Sequence, residues 1–245
     1  MDDRRSRTRQ RIVEAAAALL AESGRDAVST RAVSSAAGVQ APTIYRLFGD
    51  KQGLLDAVSD HGFTAYLRVK TEREPTGDPV EDLRQGWDIH VEFGVRNPAF
   101  YALMYGEPRF GAQLPGARES ARLLRDLVQA LAREGRLRVE AETAARMIHA
   151  ACSGVTLSLI AAGAGEGDPA LSRLTREAVL RAITTGPEPP DTGGFGPAAR
   201  AVAMKAVLPE VGPDLTPAEH GLLAEWLDRI ARAEATGPGR GAGRR

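Results

Sequence analysis

Cysteine is all but missing from this chain: Cys152 stands alone among 245 residues. One thiol can build neither an intrachain disulfide nor a multi-cysteine metal site, which fits a reducing compartment. In its alanine-rich surroundings Cys152 reads as a small core residue rather than a redox centre. A net charge is missing as well, since 32 basic residues meet 32 acidic ones for a balance of +0. A chain that is basic or acidic throughout is thereby excluded, and any charged surface must come from segregation along the sequence.

Long apolar runs are lacking too. The stretch from Ala150 to Ala164 is apolar but too short for a bilayer and is broken by glycines, and the charged N-terminus has no apolar segment behind it. No membrane partner and no secretory leader are expected, and the cytoplasm is the expected location. Catalytic signatures are absent: there is no P-loop, no GxGxxG and no nucleophile elbow. None of His61, His90, His149 and His220 pairs with another ligand-type residue at a zinc-like spacing, so neither a metal site nor a cofactor is expected. Nor does any segment alternate with period two in β-branched residues, which argues against a sheet. With 43% hydrophobic and 26% charged residues, what remains is an ordinary globular chain of helices.

The richest stretch is Ser29 to Lys51, STRAVSSAAGVQAPTIYRLFGDK. Thr30 is a good helix N-cap, Ala32, Val33 and Ala36 follow at helical spacing, and Gly38 suits the left-handed C′ position that ends a helix. Gly38, Val39 and Gln40 turn the chain into a second helix, about Ala41 to Phe48, with Pro42 in the first turn where its missing N–H costs nothing. Ile44 and Phe48 point inward from this helix, and Thr43, Tyr45 and Arg46 point outward. Such groups suit bases and phosphates.

A preceding helix, Arg7 to Ser23, carries Ile12, Ala16, Leu19 and Leu20 on one face and stops at Gly24. Arg4, Arg5, Arg7, Arg9 and Arg11 crowd its entrance. From Arg4 to Lys51 nine basic residues face four acidic ones, an excess of five inside a neutral chain. Beside a helix-turn-helix, that segregated charge reads as a face for phosphate.

The string Thr30-Arg31-Ala32-Val33, Ala37-Gly38-Val39, Thr43-Ile44-Tyr45-Arg46-Leu47-Phe48 and Asp50-Lys51, with the helix before it, resembles the TetR family of bacterial one-component regulators. The resemblance covers roughly the first 65 residues. It departs at Gln40, where the family usually has a small hydroxyl residue to cap the recognition helix. Few lysines among the basic residues and abundant Ala, Gly and Pro agree with a GC-rich bacterial genome.

The resemblance implies an all-α protein: an N-terminal three-helix helix-turn-helix DNA-binding domain plus a C-terminal helical bundle for ligand binding and dimerisation. The expected boundaries are 1–53 for the first and 54–235 for the second, with an extra helical segment 195–235 after a linker at 186–194 and a disordered tail at 236–245. It further implies a homodimer paired through 141–164 and 169–184 on double-stranded operator DNA. The DNA-binding residues would be Arg5, Arg7, Thr30, Arg31, Gln40, Ala41, Thr43, Tyr45, Arg46 and Lys51. Of these, Thr43, Gln40 and Arg46 are candidate base readers, and Tyr45 and Lys51 candidate phosphate holders.

Beyond Asp50, which can cap a fourth helix, Leu54, Val58, His61 and Ala65 mark an inward stripe running to about Lys70. Further helices are expected at about 80–96, 98–106, 117–134, 141–164, 169–184 and 197–208. Thr216 and Glu219 form a capping box with Pro217 between them. The helix they start shows Leu222, Leu223, Trp226, Leu227 and Ile230 on one face, to be buried either by its own bundle or by a second subunit.

Trp87, His90, Phe93, Phe100, Tyr101, Met104 and Tyr105 gather much of the scarce aromatic content. They are either plain core or the lining of a small-molecule site. Read as a site, the ligand-binding set is Trp87, His90, Phe93, Tyr101, Met104 and Tyr105 with Leu124, Met147, Cys152 and Thr156 from later helices, for an apolar or aromatic effector. The functional expectation is a repressor released from a palindromic operator by that effector; a regulator or activator answering to another signal is the alternative, and no enzymatic activity is expected.

Overall fold

The computed structural model describes residues 2–106, 114–163, 168–185, 197–211 and 215–233. Among them the regular elements are α1 (Asp2–Ser23), α2 (Thr30–Ala37), α3 (Ala41–Phe48), α4 (Lys51–Thr71), α5 (Pro79–Arg96), α6 (Pro98–Tyr105), α7 (Pro115–Arg133), α8 (Ala141–Ala162), α9 (Pro169–Ile183), α10 (Pro197–Val211) and α11 (Pro217–Ala233), with one 3-10 turn at Arg25–Ala27. A lone antiparallel bridge joins Leu137 to Thr184, and no strand occurs in the described residues. The protein is all-α. The linker at 186–194 and the tail at 236–245 lie outside the described residues.

Proline sets many of the boundaries. α5, α6, α7, α9, α10 and α11 each begin on one, the position where a fixed φ helps and the absent N–H is not needed. The sequence expectation placed the starts of α5 and α7 one and two residues late, because each begins on its proline. α8 starts in a polar turn with Glu142, Thr143 and Arg146, but the residues after it are apolar, and it is the one described helix long and apolar enough to cross a membrane. One weakly apolar helix whose Cys152 and Thr156 are buried does not indicate a span.

The chain divides into two compact units: 1–74 with 86–122 and 153–168, and 75–85 with 123–152 and 169–245. In the first, Ile12, Ala16 and Leu20 of α1, Val33 of α2, Ile44 of α3 and Leu54 and Val58 of α4 are fully buried in one core. Each of the isoleucine, leucine and valine side chains among them contributes about 1.5 to 3 kcal/mol relative to exposure. Leu103 of α6 belongs to this same core. A second core in this unit joins Phe63, Tyr66 and Met104, with Phe93, Phe100 and Tyr105 packed against them.

The buried face of α4 differs from the expected stripe. Leu54 and Val58 point inward, but His61 and Ala65 are exposed, and Gly62, Phe63 and Tyr66 take the inner positions. The buried row follows steps of four, 54, 58, 62 and 66, so it drifts around the helix and leaves the i+7 position outside.

The second unit is tied by charge. The Arg84 guanidinium of α5 meets the Glu177 carboxylate of α9 at 3.1 Å, and Arg176 adds a contact at 3.0 Å. These hydrogen bonds, Arg84's first, hold the Glu177 carboxyl below its ordinary pKa despite partial burial. Arg136 meets Asp78 at 2.8 Å, and Arg138 donates to the Thr184 carbonyl at 2.8 Å. α10 and α11 pair as a hairpin through Ala201, Val202, Leu208 and Leu227, with Lys205 on Asp228 at 2.6 Å. The expected capping box is present: the Thr216 N–H donates to Glu219 at 2.8 Å, and the Glu219 N–H donates to the Thr216 hydroxyl at 3.3 Å.

Candidate nucleic-acid interface

α2, the turn and α3 are built by local chemistry. Ser29, not Thr30, is the N-cap of α2: the Ala32 N–H donates to Ser29 Oγ at 3.1 Å, and Thr30 is the first helical residue. Both are hydroxyl residues, and only the backbone decides between them; Ser29 adopts the extended conformation a cap requires. Gly38 follows at φ 61°, the left-handed turn that sends the chain into α3. Gln40 occupies the N-cap position of α3 in extended geometry but makes no side-chain cap bond there.

α3 is anchored by Ile44, fully buried, and by the half-buried Leu47 and Phe48. Phe48 is less deep than its spacing implied, and Arg9 of α1 lies over its ring, 5.1 Å from the centroid. The opposite side of α3 is open: Tyr45 is 51% exposed, Arg46 is exposed and Thr43 is half-buried. Asp50 then caps α4 by accepting from the Gly53 N–H at 2.8 Å. Gly53 is needed at this junction, since a Cβ there would run into the Phe48 carbonyl. Lys51 is exposed in the first turn of α4, where the helix end adds positive potential. An eight-residue α3 is about 12 Å long, a length that fits across a major groove.

α1 is helical from Asp2, so Arg5 and Arg7 are exposed on a helix and not on an extended arm. No breaker stands before Gly24.

Behind this head, in the same unit, lies an aromatic cluster centred on His90. The Tyr66 hydroxyl meets His90 Nδ1 at 2.8 Å, and the Tyr101 hydroxyl meets His90 Nε2 at 2.6 Å. A neutral imidazole donates from one ring nitrogen and accepts at the other, so one tyrosine donates and the other accepts. Tyr105 lies 5.2 Å from the imidazole and 4.7 Å from Tyr101, and Phe93 lies 5.1 Å from Tyr66, centroid to centroid. The rings fill the space between α4, α5 and α6.

Residues 12–58 match the family model described as bacterial regulatory proteins, tetR family. The chain carries a TetR-family DNA-binding domain. No curated protein matches it. Among solved structures, a protein of unknown function from Rhodococcus sp. RHA1 is 24% identical with a TM-score of 0.60, over 73% of this chain and 96% of its own. A putative tetR family transcription regulator from Shewanella sp. PV-4 is 18% identical with a TM-score of 0.57, over 73% of this chain and 99% of its own. RolR in complex with resorcinol is 22% identical with a TM-score of 0.57, over 83% of this chain and 96% of its own. At these identities the likeness is one of fold.

With a TetR-type head, the chain is a DNA-binding transcriptional regulator. The head brings Thr30, Arg31, Gln40, Ala41, Thr43, Tyr45, Arg46 and Lys51 into one short stretch of α2, α3 and the start of α4. Arg31 and Gln40 are exposed, and Thr30 and Ala41 half-buried. Of the residues named for ligand binding, Trp87, His90, Phe93, Tyr101, Met104, Tyr105 and Thr156 fall in the first unit, and all but Phe93 and Tyr105 are buried. Leu124, Met147 and Cys152 fall in the second.

Sequence reasoning missed Phe63 and Tyr66, although their i, i+3 spacing on α4 was the signal that could have found them. It also missed a cavity of about 100 Å³ in the second unit, lined by Gln129, Ala132, Ala201, Lys205, Leu227 and others, none of them in the expected set. Drug-sized ligands need about 300 to 1,000 Å³, so this cavity suits no more than a few waters.

Proposed function

We propose that the protein is a repressor that binds a near-palindromic operator as a homodimer and is released by a small apolar or aromatic effector taken up at the His90 cluster. Thr43, Gln40 and Arg46 read base edges from α3, while Tyr45 and Lys51 hold phosphates. Arg5 and Arg7 add phosphate contacts from α1, and Thr30, Arg31 and Ala41 complete the surface. Pairing runs through α8 and α9; on α9, Leu171 and Leu174 are 40% and 60% exposed. The regulator acts in the cytoplasm, where its DNA is.

The position of α6 carries this reading. Leu103 sits in the core of the DNA-binding head, while its neighbours Tyr101 and Met104 sit in the aromatic cluster. An effector that spreads Tyr66, His90 and Tyr101 must displace α6, and with it a residue of the head. The cluster is closed, so uptake requires this displacement. Its rings and hydroxyls suit an aromatic ligand carrying a hydrogen-bonding group, a class to which the resorcinol held by RolR belongs. Only a difference in affinity between the two states releases DNA; a coupling of about 1 to 3 kcal/mol lowers operator affinity about 5- to 150-fold.

The test is fluorescence anisotropy on operator DNA with a library of small aromatic compounds, alongside thermal shifts. Compounds that raise the melting temperature and release DNA are expected, with Tyr101→Phe weakening their effect. Tight DNA binding with no compound shifting the melting temperature would instead favour a regulator or activator answering to another signal.

A further inference from the structure

α11 keeps an apolar ridge in water. Leu222, Trp226 and Ile230, one turn apart, are 46%, 49% and 44% exposed, while Leu227 turns inward and Asp228 binds Lys205 of α10. Three large side chains in one line, with a tryptophan at the middle, are unusual for a surface without a partner.

The ridge is symmetric about its centre. Trp226 has a branched aliphatic residue four positions to either side, so a two-fold axis through Trp226 would set tryptophan on tryptophan and Leu222 of one copy on Ile230 of the other. The charges beside the ridge obey the same symmetry. Glu225 and Arg229, joined within the helix at 2.7 Å, form one row along the flank of the stripe and straddle its centre to within a residue. In an antiparallel pair that row faces its own copy, which brings Glu225 of each chain to Arg229 of the other, twice. The acidic first turn, with Glu219, then lies beside the basic last turn, with Arg232. A parallel pair would place both acidic ends and both helix N-termini side by side.

We propose that α11 is a self-association surface, on which a second copy of this chain docks its own α11 antiparallel about Trp226. A 17-residue helix is about 25 Å long. Two of them bury less than the roughly 800 Å² per partner of a stable interface, so the contact reinforces pairing made elsewhere on the chain. It does not depend on the operator or the effector.

Disulfide trapping in the full-length chain tests this. Cys152 is buried, so an introduced thiol is the accessible one. Co-expressed Leu222→Cys and Ile230→Cys chains are expected to form covalent dimers under mild oxidation. Either variant alone is expected not to, because its thiols lie eight residues apart across the axis, beyond disulfide reach. Adding Glu225→Arg to both chains should lower the yield at least fivefold, and Glu225→Arg with Arg229→Glu should restore it. The proposal is overturned if the mixed pair gives no cross-link, if Leu222→Cys alone links equally well, or if the double charge reversal fails to restore the yield. Operator binding by the same samples, read by anisotropy, reports separately on the repressor reading.

Discussion

Lys51 and Tyr45 are both exposed but would grip DNA by different physics. A lysine on a phosphate releases a counterion, so Lys51→Ala should reduce the slope of log affinity against log salt by about 0.9 per subunit and weaken binding on every sequence. A tyrosine hydroxyl releases none, and Tyr45→Ala should therefore weaken binding with the slope unchanged. Anisotropy titrations across a salt series separate the two. In the aromatic cluster, Tyr101→Phe removes the partner of His90 Nε2. A protein hydrogen bond contributes about 0.5 to 1.5 kcal/mol, so a lowered urea midpoint is expected at unchanged dependence on urea. At this scale the sequence was legible where a side chain's neighbours lie within one turn. Tyr45 and Arg46 were read as exposed from the burial of Ile44 beside them. Tyr66 was not, since the histidine that holds it is 24 residues away.

Elements carry their own predictions. Gln40 leaves α3 without a side-chain cap although its backbone is shaped for one. Gln40→Ser should gain about 0.5 to 1 kcal/mol, and Ser29→Ala, which deletes the cap of α2, should lose about 1 kcal/mol. Differential scanning calorimetry should show shifts of opposite sign. The tie between α5 and α9 has a pH signature. Because Arg84 holds the Glu177 carboxyl below 4.5, its stabilisation is complete above that pH and is lost as pH falls through the lowered value. Wild type should exceed Glu177→Gln by about 0.5 to 1 kcal/mol near neutrality, a modest figure because both side chains are a third exposed. Denaturant midpoints should converge below pH 4.5. Helix positions were legible because prolines and caps are local signals; the face of α4 was not, because which residues of an apolar-rich helix point inward depends on where α5 and α6 lie.

For the whole molecule, the TetR-type head was legible because a helix-turn-helix is specified by contiguous residues: Gly38, Pro42, Ile44 and Asp50 each do one local job, and only the cap of α2 was read one residue late, at Thr30 in place of Ser29. The aromatic cluster was legible only as composition. Aromatic residues of α5 and α6 stood out in a chain poor in them, but their closure on Phe63 and Tyr66, and the place of Leu103 in the core of the head, are long-range facts. The ridge of α11 lay between these cases, with its spacing plain and its exposure not. Everything proposed for regulation rests on α3 entering a major groove in two copies. DNase I footprinting of promoter DNA by the purified protein measures this directly. Two protected half-sites related by a dyad are expected, their centres about one helical turn, or roughly 34 to 36 Å, apart, with protection lost in Tyr45→Ala at physiological salt. A footprint without a dyad, or a Tyr45→Ala protein that protects the site at wild-type concentration, would contradict it.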